Sequence, residues 1–278
     1  MSLFIASLNS GSNGNCYYVG NNQEAVLIDA GISCRETERR MEALGLQMQH
    51  VKAIFISHEH VDHISGLKTI CNRHRLPVYI TNGTLQYSKL GFSNSTFIPF
   101  SAADRVSVGG LSIHAFKKCH DANDPHSFIV ECNGIRIGVF TDIGIACDNV
   151  VHHFKQCHAA FLEANYDEAM LASGRYPYYL KRRITGGNGH LSNRQAFELF
   201  VNHRPSYMTH LILSHLSKNN NDPALVEALF RPYAQQLNIV VASRFEASSL
   251  YEVSHVPSSY TTAPVRKVTG SVQQLAMF

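Results

Sequence analysis

The segment richest in chemistry is His58-Glu59-His60-Val61-Asp62-His63. An apolar run over residues 51–57 reads as a buried strand that ends on it, and side chains two apart on an extended chain point the same way. His58 and His60 can therefore offer two imidazoles to one ion. Asp62 and His63, a turn later, can offer a carboxylate and an imidazole to a second ion beside it. Nitrogen and carboxylate donors together suit Zn²⁺, and also Mn²⁺ or Fe²⁺. Chance clustering is the bland alternative in a chain with 16 histidines. Against it stand the four matched positions, the preceding strand and the helix-like stretch with Gly66 that follows.

The elements that must position this cluster are short. Strand patterns occupy residues 2–8, 16–19, 25–28, 51–57, 78–81, 111–116, 126–131, 135–141, 159–163, 208–214 and 239–242, the last being the expected final core strand. Helical spacing marks residues 34–44, 62–74, 149–157, 193–203 and 223–236. Ser192-Asn193-Arg194-Gln195 has the capping-box pattern, and Pro223 suits a first helical position. Two β-rich halves with flanking helices predict an α/β (α+β) fold, a four-layer αββα sandwich over residues 1–253. Residues 254–278 change to a Ser-, Thr- and Val-rich composition without periodicity and read as a flexible tail.

The 278 residues are 45% hydrophobic and 16% charged, enough apolar material for a substantial core. A net charge of +3 neither demands nor excludes a polyanion, so a nucleic-acid partner must be argued locally. Seven scattered cysteines without a CxxC pair speak against a disulfide framework or a zinc finger and suit reduced thiols in the cytoplasm. The N-terminus lacks the pattern of a signal peptide, and no stretch approaches the ~20 apolar residues of a membrane span. No membrane association is expected.

The cluster resembles the HxHxDH signature of the metallo-β-lactamase superfamily. That resemblance implies three further ligands: His120 after a later strand, Asp142 bridging both ions, and His215 at a strand end. They complete a seven-residue set with His58, His60, Asp62 and His63; read singly, each is an ordinary surface residue. Histidine at position 60, where flavodiiron oxidoreductases carry glutamate, favours hydrolysis. Asp142 stands where antibiotic-hydrolysing members often have cysteine, whereas thioesterases of the glyoxalase II type share the ligand set. Glu163 and His190 resemble the Glu…His pair of ribonuclease Z-like enzymes. There Glu163 would orient His190, which would protonate a leaving oxygen; the alternative is a His190 that merely packs before its helix.

The wider pattern is similar to the YycJ/WalJ group. It comprises Ser7-Leu8-Asn9-Ser10-Gly11-Ser12-Asn13-Gly14-Asn15-Cys16, Asp29-Ala30-Gly31, His120-Asp121-Ala122, Thr141-Asp142-Ile143-Gly144, Glu163-Ala164-Asn165-Tyr166, Gly189-His190-Leu191-Ser192-Asn193 and Leu213-Ser214-His215-Leu216-Ser217-Lys218-Asn219-Asn220-Asn221. The group implies a two-metal phosphodiesterase acting as a 5′-to-3′ DNA exonuclease in bacterial DNA repair, with Asp62 both binding metal and orienting the attacking water. His126-Ser127 is more polar than the pattern leads one to expect. Candidate substrate contacts are Ser12 and Asn15 in the turn, Ser192 beside His190, and Arg183 in the basic run Lys181-Arg182-Arg183. Ribonuclease, thioesterase or small-phosphodiester hydrolase activity and a non-catalytic regulatory scaffold remain alternatives. The terminal Gln274-Leu275-Ala276-Met277-Phe278 resembles the QLxLF-type peptide that docks on sliding clamps, with anchors Gln274, Leu275, Met277 and Phe278.

Overall fold

A computed structural model describes residues 2–90, 97–102 and 104–255. Among these, the first sheet takes β1 (Leu3–Asn9), β2 (Cys16–Gly20), β3 (Ala25–Ile28), β4 (Val51–Phe55), β5 (Val78–Ile80) and β6 (Phe97–Pro99). The second takes β7 (Arg105–Val108), β8 (Leu111–Lys117), β9 (His126–Cys132), β10 (Ile135–Phe140), β11 (Ala159–Glu163), β12 (His210–Ser214) and β13 (Asn238–Val241). A strand absent from the sequence reading, β14 (Tyr251–Val253), pairs antiparallel with β1 and closes the first sheet, so the strand near residues 239–242 is not the last. Each sheet has antiparallel pairing at one side and three consecutive parallel pairings at the other, β3 to β6 and β10 to β13.

Period-two alternation decides the layers. Val26 and Ile28 of β3 and Ile212 of β12 meet in the core between the sheets. Their neighbours Ala25 and Leu27, or Leu211 and Leu213, face the opposite way onto helices. Because both faces are buried, these parallel strands read as continuous apolar runs. Helices α1 (Cys34–Ala43), α2 (Val61–Ile64), α3 (Leu67–His74) and α4 (Asn82–Tyr87) accompany the first sheet. Helices α5 (Asp148–Phe154), α6 (Glu168–Ser173), α7 (Tyr178–Thr185), α8 (Asn193–His203) and α9 (Pro223–Phe230) accompany the second. The outcome is the expected αββα sandwich. No helix among the described residues is long and apolar enough to cross a membrane.

Several elements depart from the sequence pattern for local reasons. The helix expected over 62–74 is broken at Gly66, whose N–H donates to the Ala30 carbonyl at 2.8 Å. The helix expected over 223–236 stops at Phe230 and continues as a 3-10 turn containing Pro232, which has no N–H to give. α7 differs from the expected helices because none of its residues is fully buried; its apolar face is the half-buried pair Leu180 and Ile184, too short a pattern to mark a helix. The clamp-like peptide at 274–278 lies outside the described residues.

The parallel strands deliver their carboxyl ends to one edge of the sandwich, where open α/β sheets bind ligands. Three of them turn there through left-handed residues that are not glycine: Asp29 after β3 (φ 62°), Asp142 after β10 (φ 56°) and His215 after β12 (φ 57°). Such conformations are costly and concentrate at functional sites. Gly31 completes the first of these turns because a Cβ there would lie 1.7 Å from the Asp62 carbonyl oxygen and 2.5 Å from the Asn15 nitrogen. Gly31→Ala must push α2 away from β3. The expected result is a melting temperature lowered by several degrees, with metal content per chain falling in elemental analysis.

Candidate metal centre

The strand ends bring together side chains that are far apart in the sequence. His58 follows β4, and its Nε2 lies 3.0 Å from His60 Nδ1; His120 Nε2 lies 3.3 Å from the same atom. The outer nitrogens of His58 and His120 are already engaged. His58 Nδ1 donates to the Ser57 hydroxyl (2.9 Å), which donates to Asp29 Oδ2 (2.8 Å), and His120 Nδ1 donates to the Gly189 carbonyl (3.0 Å). The convergent nitrogens of His58 and His120 are therefore lone pairs. Burial drives the His58 imidazole well below its ordinary pKa and His120 down to about 4, so both stay neutral.

A second group faces them. His63 Nδ1 donates to Asp29 Oδ2 at 2.7 Å, turning Nε2 toward Asp142 Oδ2 (3.1 Å) and Asp62 Oδ2 (3.6 Å). His215 Nδ1 donates to Glu163 Oε1 at 2.9 Å, leaving Nε2 3.6 Å from Asp62 Oδ2. Burial alone would lower these two imidazoles. The carboxylates outweigh it: His63 is held well above its ordinary value, and His215 is raised to about 10 with Asp142 as the chief cause. Conversely, Asp62 and Asp142 stay ionised despite burial because these histidines surround them.

This arrangement fits divalent metal ions. Asp142 Oδ2 and His215 Nε2 are buried without a hydrogen-bond partner among the described residues, which is costly unless a cation accepts their electron pairs. The negative field that holds protons on His63 and His215 would accept a cation in their place. His58, His60 and His120 would make one site, and Asp62, His63 and His215 the other, with Asp142 within reach of both.

Glu163 sits behind the centre as a hydrogen-bond hub. Its Oε1 accepts from His190 Nδ1 (2.7 Å) and His215 Nδ1 (2.9 Å); its Oε2 accepts from the backbone N–H of Ile143 (2.6 Å) and Leu191 (3.3 Å). Both oxygens are spent, and although burial works against ionisation, His190 and His215 hold Glu163 down at about 2. His190 consequently keeps a fixed tautomer, with Nε2 turned away from Glu163 and its side chain 21% exposed. Gly144 allows the approach that brings His190 in, since a Cβ there would lie 2.2 Å from the Gly187 carbonyl.

Comparison with known proteins agrees with this geometry. Residues 24–215 match the family model described as "Beta-lactamase superfamily domain". An "Exodeoxyribonuclease YycJ" of Bacillus anthracis is 32% identical over 250 residues, covering 88% of this chain and 94% of that protein. The chain belongs to the metallo-β-lactamase superfamily, in its YycJ/WalJ group. An "Exodeoxyribonuclease WalJ" of Streptococcus pneumoniae is 29% identical, covering 77% of this chain and 81% of that protein. The fold matches the crystal structure of the metallo-β-lactamase-fold protein YhfI from Bacillus subtilis with a TM-score of 0.68 at 15% identity, covering 91% and 100% of the two chains. With the family and these exodeoxyribonuclease relatives matching over most of its length, the chain is a metal-dependent hydrolase.

Of the expected substrate contacts, two are occupied elsewhere. Asn15 is buried, its amide nitrogen against Asp62 Oδ2 (3.2 Å) and His63 Nε2 (3.1 Å) and its oxygen accepting from Gly11 N and Tyr17 Oη, so it supports the ligands instead. Ser192 is buried as the cap of α8, with its hydroxyl shared between Gln195 N and Glu168. Ser12 is exposed at the turn. Arg183 is exposed but pairs with Asp121, next to His120. The polar His126-Ser127 is buried at the start of β9, with His126 Nδ1 against the Asp124 carbonyl at 2.8 Å and its ring beside Phe100; it does not form the mouth of the site.

Two supporting residues carry roles that the sequence does not assign. Asp29, part of the Asp29-Ala30-Gly31 motif, binds Ser57 N, Ser57 Oγ and His63 Nδ1. Lys118 is buried, donates to the Thr141 carbonyl at 2.7 Å and so braces the turn into Asp142 while offsetting the carboxylates. Nothing in its Lys-Lys-Cys-His context signals that. Losing such outer partners costs 10- to 100-fold in metal affinity. Asp29→Asn should therefore weaken divalent-ion binding by about that factor in chelator competition, with the circular dichroism spectrum retained.

Proposed function

We propose that this protein is a two-metal phosphodiesterase whose substrate is DNA, degraded from the 5′ end, with a role in bacterial DNA repair. The observation that carries the phosphodiester reading is the Glu163–His190 pair beside the candidate ligands, a proton carrier in a fixed tautomer that thioester cleavage does not require. The exodeoxyribonuclease names of the similar proteins support DNA. The seven ligand residues suit Zn²⁺ or Mn²⁺, with Fe²⁺ also compatible with the donor set. The free cysteines among the described residues support a reducing compartment such as the cytoplasm.

When bound, two such ions would draw charge from the phosphate oxygens and acidify a water. Asp62, partly exposed, accepts a hydrogen bond from the attacking water and aims its oxygen at phosphorus. His190, protonated on Nε2, delivers that proton to the departing 3′ oxygen as the P–O bond breaks. Glu163 accepts from His190 Nδ1 and holds the ring in line. The products are a 3′ hydroxyl and a 5′ phosphate.

The test is a 5′-phosphorylated linear duplex in Mn²⁺, beside matched RNA and a thioester, with His60→Ala and Asp142→Asn as controls. His190→Ala should lower kcat by about 10²- to 10⁴-fold while metal content is retained. Inactivity of the wild type on DNA and RNA together with rapid thioester cleavage would overturn the reading. The terminal Gln274, Leu275, Met277 and Phe278 extend the proposal to a sliding clamp. Deleting residues 274–278 should abolish capture on immobilised clamp and leave activity on short DNA intact; equal capture removes the clamp as partner.

A further inference from the structure

A cleft of about 460 Å³ opens next to the candidate centre, between the turn at Ser10–Gly11 and the segment that follows His215. It shares a wall with the centre: the Ser10 hydroxyl, one of its lining groups, accepts from the His215 backbone N–H at 2.7 Å. Its volume falls in the range of small-molecule sites.

The lining has an unusual charge. Lys218 and Arg244 both contribute to it, and no carboxylate does. Neither cation has a carboxylate partner among the described residues, although Arg183, Arg136 and Arg39 each have one. Arg244 is oriented by donating from Nη2 to the Leu216 carbonyl at 2.8 Å, which leaves the rest of its guanidinium available.

The third feature is Phe245, 75% exposed at the rim. A single exposed aromatic is unremarkable by itself. This one stands on a bend tied from three sides. Buried Arg40 donates to the Phe245 carbonyl at 2.8 Å, Asn13 donates to the Arg244 carbonyl at 2.9 Å, and the Phe245 N–H donates to Ser243 Oγ at 3.0 Å. Arg40 also binds the Leu8 carbonyl and Asn9 Oδ1, fastening the bend to β1 in the first sheet. The backbone is held while the ring is left in solvent, the arrangement of a stacking platform whose partner is not part of the chain.

We propose that this cleft is a nucleotide subsite, in which Phe245 stacks on a base of the bound strand while Lys218 and Arg244 hold a phosphate of the same strand. An aromatic face is tolerant of base identity, and two cations with no carboxylate partner among the described residues answer a phosphodiester backbone. The inference rests on the phosphodiesterase reading and deepens it by assigning where the strand runs beyond the cleaved bond: past His215, toward the Gly11 turn. Two of the four candidate contacts in that reading, Ser192 and Asn15, are buried, and this surface supplies what they cannot.

The experiment compares wild type, Phe245→Ala and Lys218→Ala on two substrates, a 5′-phosphorylated oligodeoxythymidylate and bis(p-nitrophenyl) phosphate, which is too short to span both sites. For each variant the ratio of kcat/KM on the oligonucleotide to that on the small diester should fall about tenfold, through KM, in line with the value of one stacked base. An unchanged ratio in both variants overturns the subsite while leaving the nuclease assignment standing. If the wild type cleaves no oligonucleotide, the nuclease assignment fails on its own. Anisotropy of a fluorescein-labelled oligodeoxythymidylate on the Ca²⁺-loaded protein then decides the subsite: about tenfold weaker binding in the variants upholds it, and equal binding overturns it.

Discussion

Burying carboxylates between two apolar sheets is expensive unless each meets a proton donor or a cation, and the site is organised around that demand. Asp29, Asp142 and Glu163 are almost wholly enclosed, and Asp62 is only partly open. Each of the first three is answered by imidazole: Asp29 by His63, Asp142 by His63 and His215, and Glu163 by His190 and His215. Lys118 adds a buried positive charge from the β8 side. Asp142 Oδ2, which has an ion-pair contact with His63 but no hydrogen bond among the described residues, and His215 Nε2, which has no hydrogen bond among them either, mark where the protein's own groups run out and a metal cation completes the balance.

That balance depends on backbone placed in unfavourable conformations. Asp29, Asp142 and His215 all occupy the left-handed region, where a side chain is strained, and each is the first polar turn after a parallel strand. The strands on both sides of the sandwich are apolar on both faces and packed, so they can hold the turns in place. Close contacts such as Gly31 against Asp62 and Gly144 against Gly187 lock the loops together. Mutations in the loops therefore act on metal binding as much as on stability.

The same edge separates two tasks. Inside, imidazoles and carboxylates satisfy one another and have little freedom to meet a substrate. Outside, His190 turns Nε2 away from Glu163, and the cleft past His215 presents an exposed aromatic ring and two cations that have no carboxylate partner among the described residues. Ser10 links the two, since its hydroxyl lines the cleft and holds the His215 backbone. A strand lying in the cleft would thus be referenced to a ligand-bearing turn.

Sequence alone was enough for the αββα class, for the order of the longer strands and for the histidines and carboxylates that converge at the strand ends, because these depend on local periodicity and on residue chemistry there. Ala25–Ile28 and Ala159–Glu163 were legible to the residue, as was the capped helix Asn193–His203. Short elements such as β14 and α7 were not, since three residues or a single apolar pair give too little periodicity to read. The direction of each polar side chain also lay beyond the sequence. Asn15 and Ser192 have the right types for gripping phosphate, yet tertiary packing turns one toward Asp62 and His63 and the other into a helix cap. Asp29 and Lys118 acquire their roles only when β3 meets β4 and β8 meets β10 through the fold. A hydrogen-bond network is a property of which strand ends arrive together, and residues more than a hundred positions apart become partners only once the two sheets are stacked.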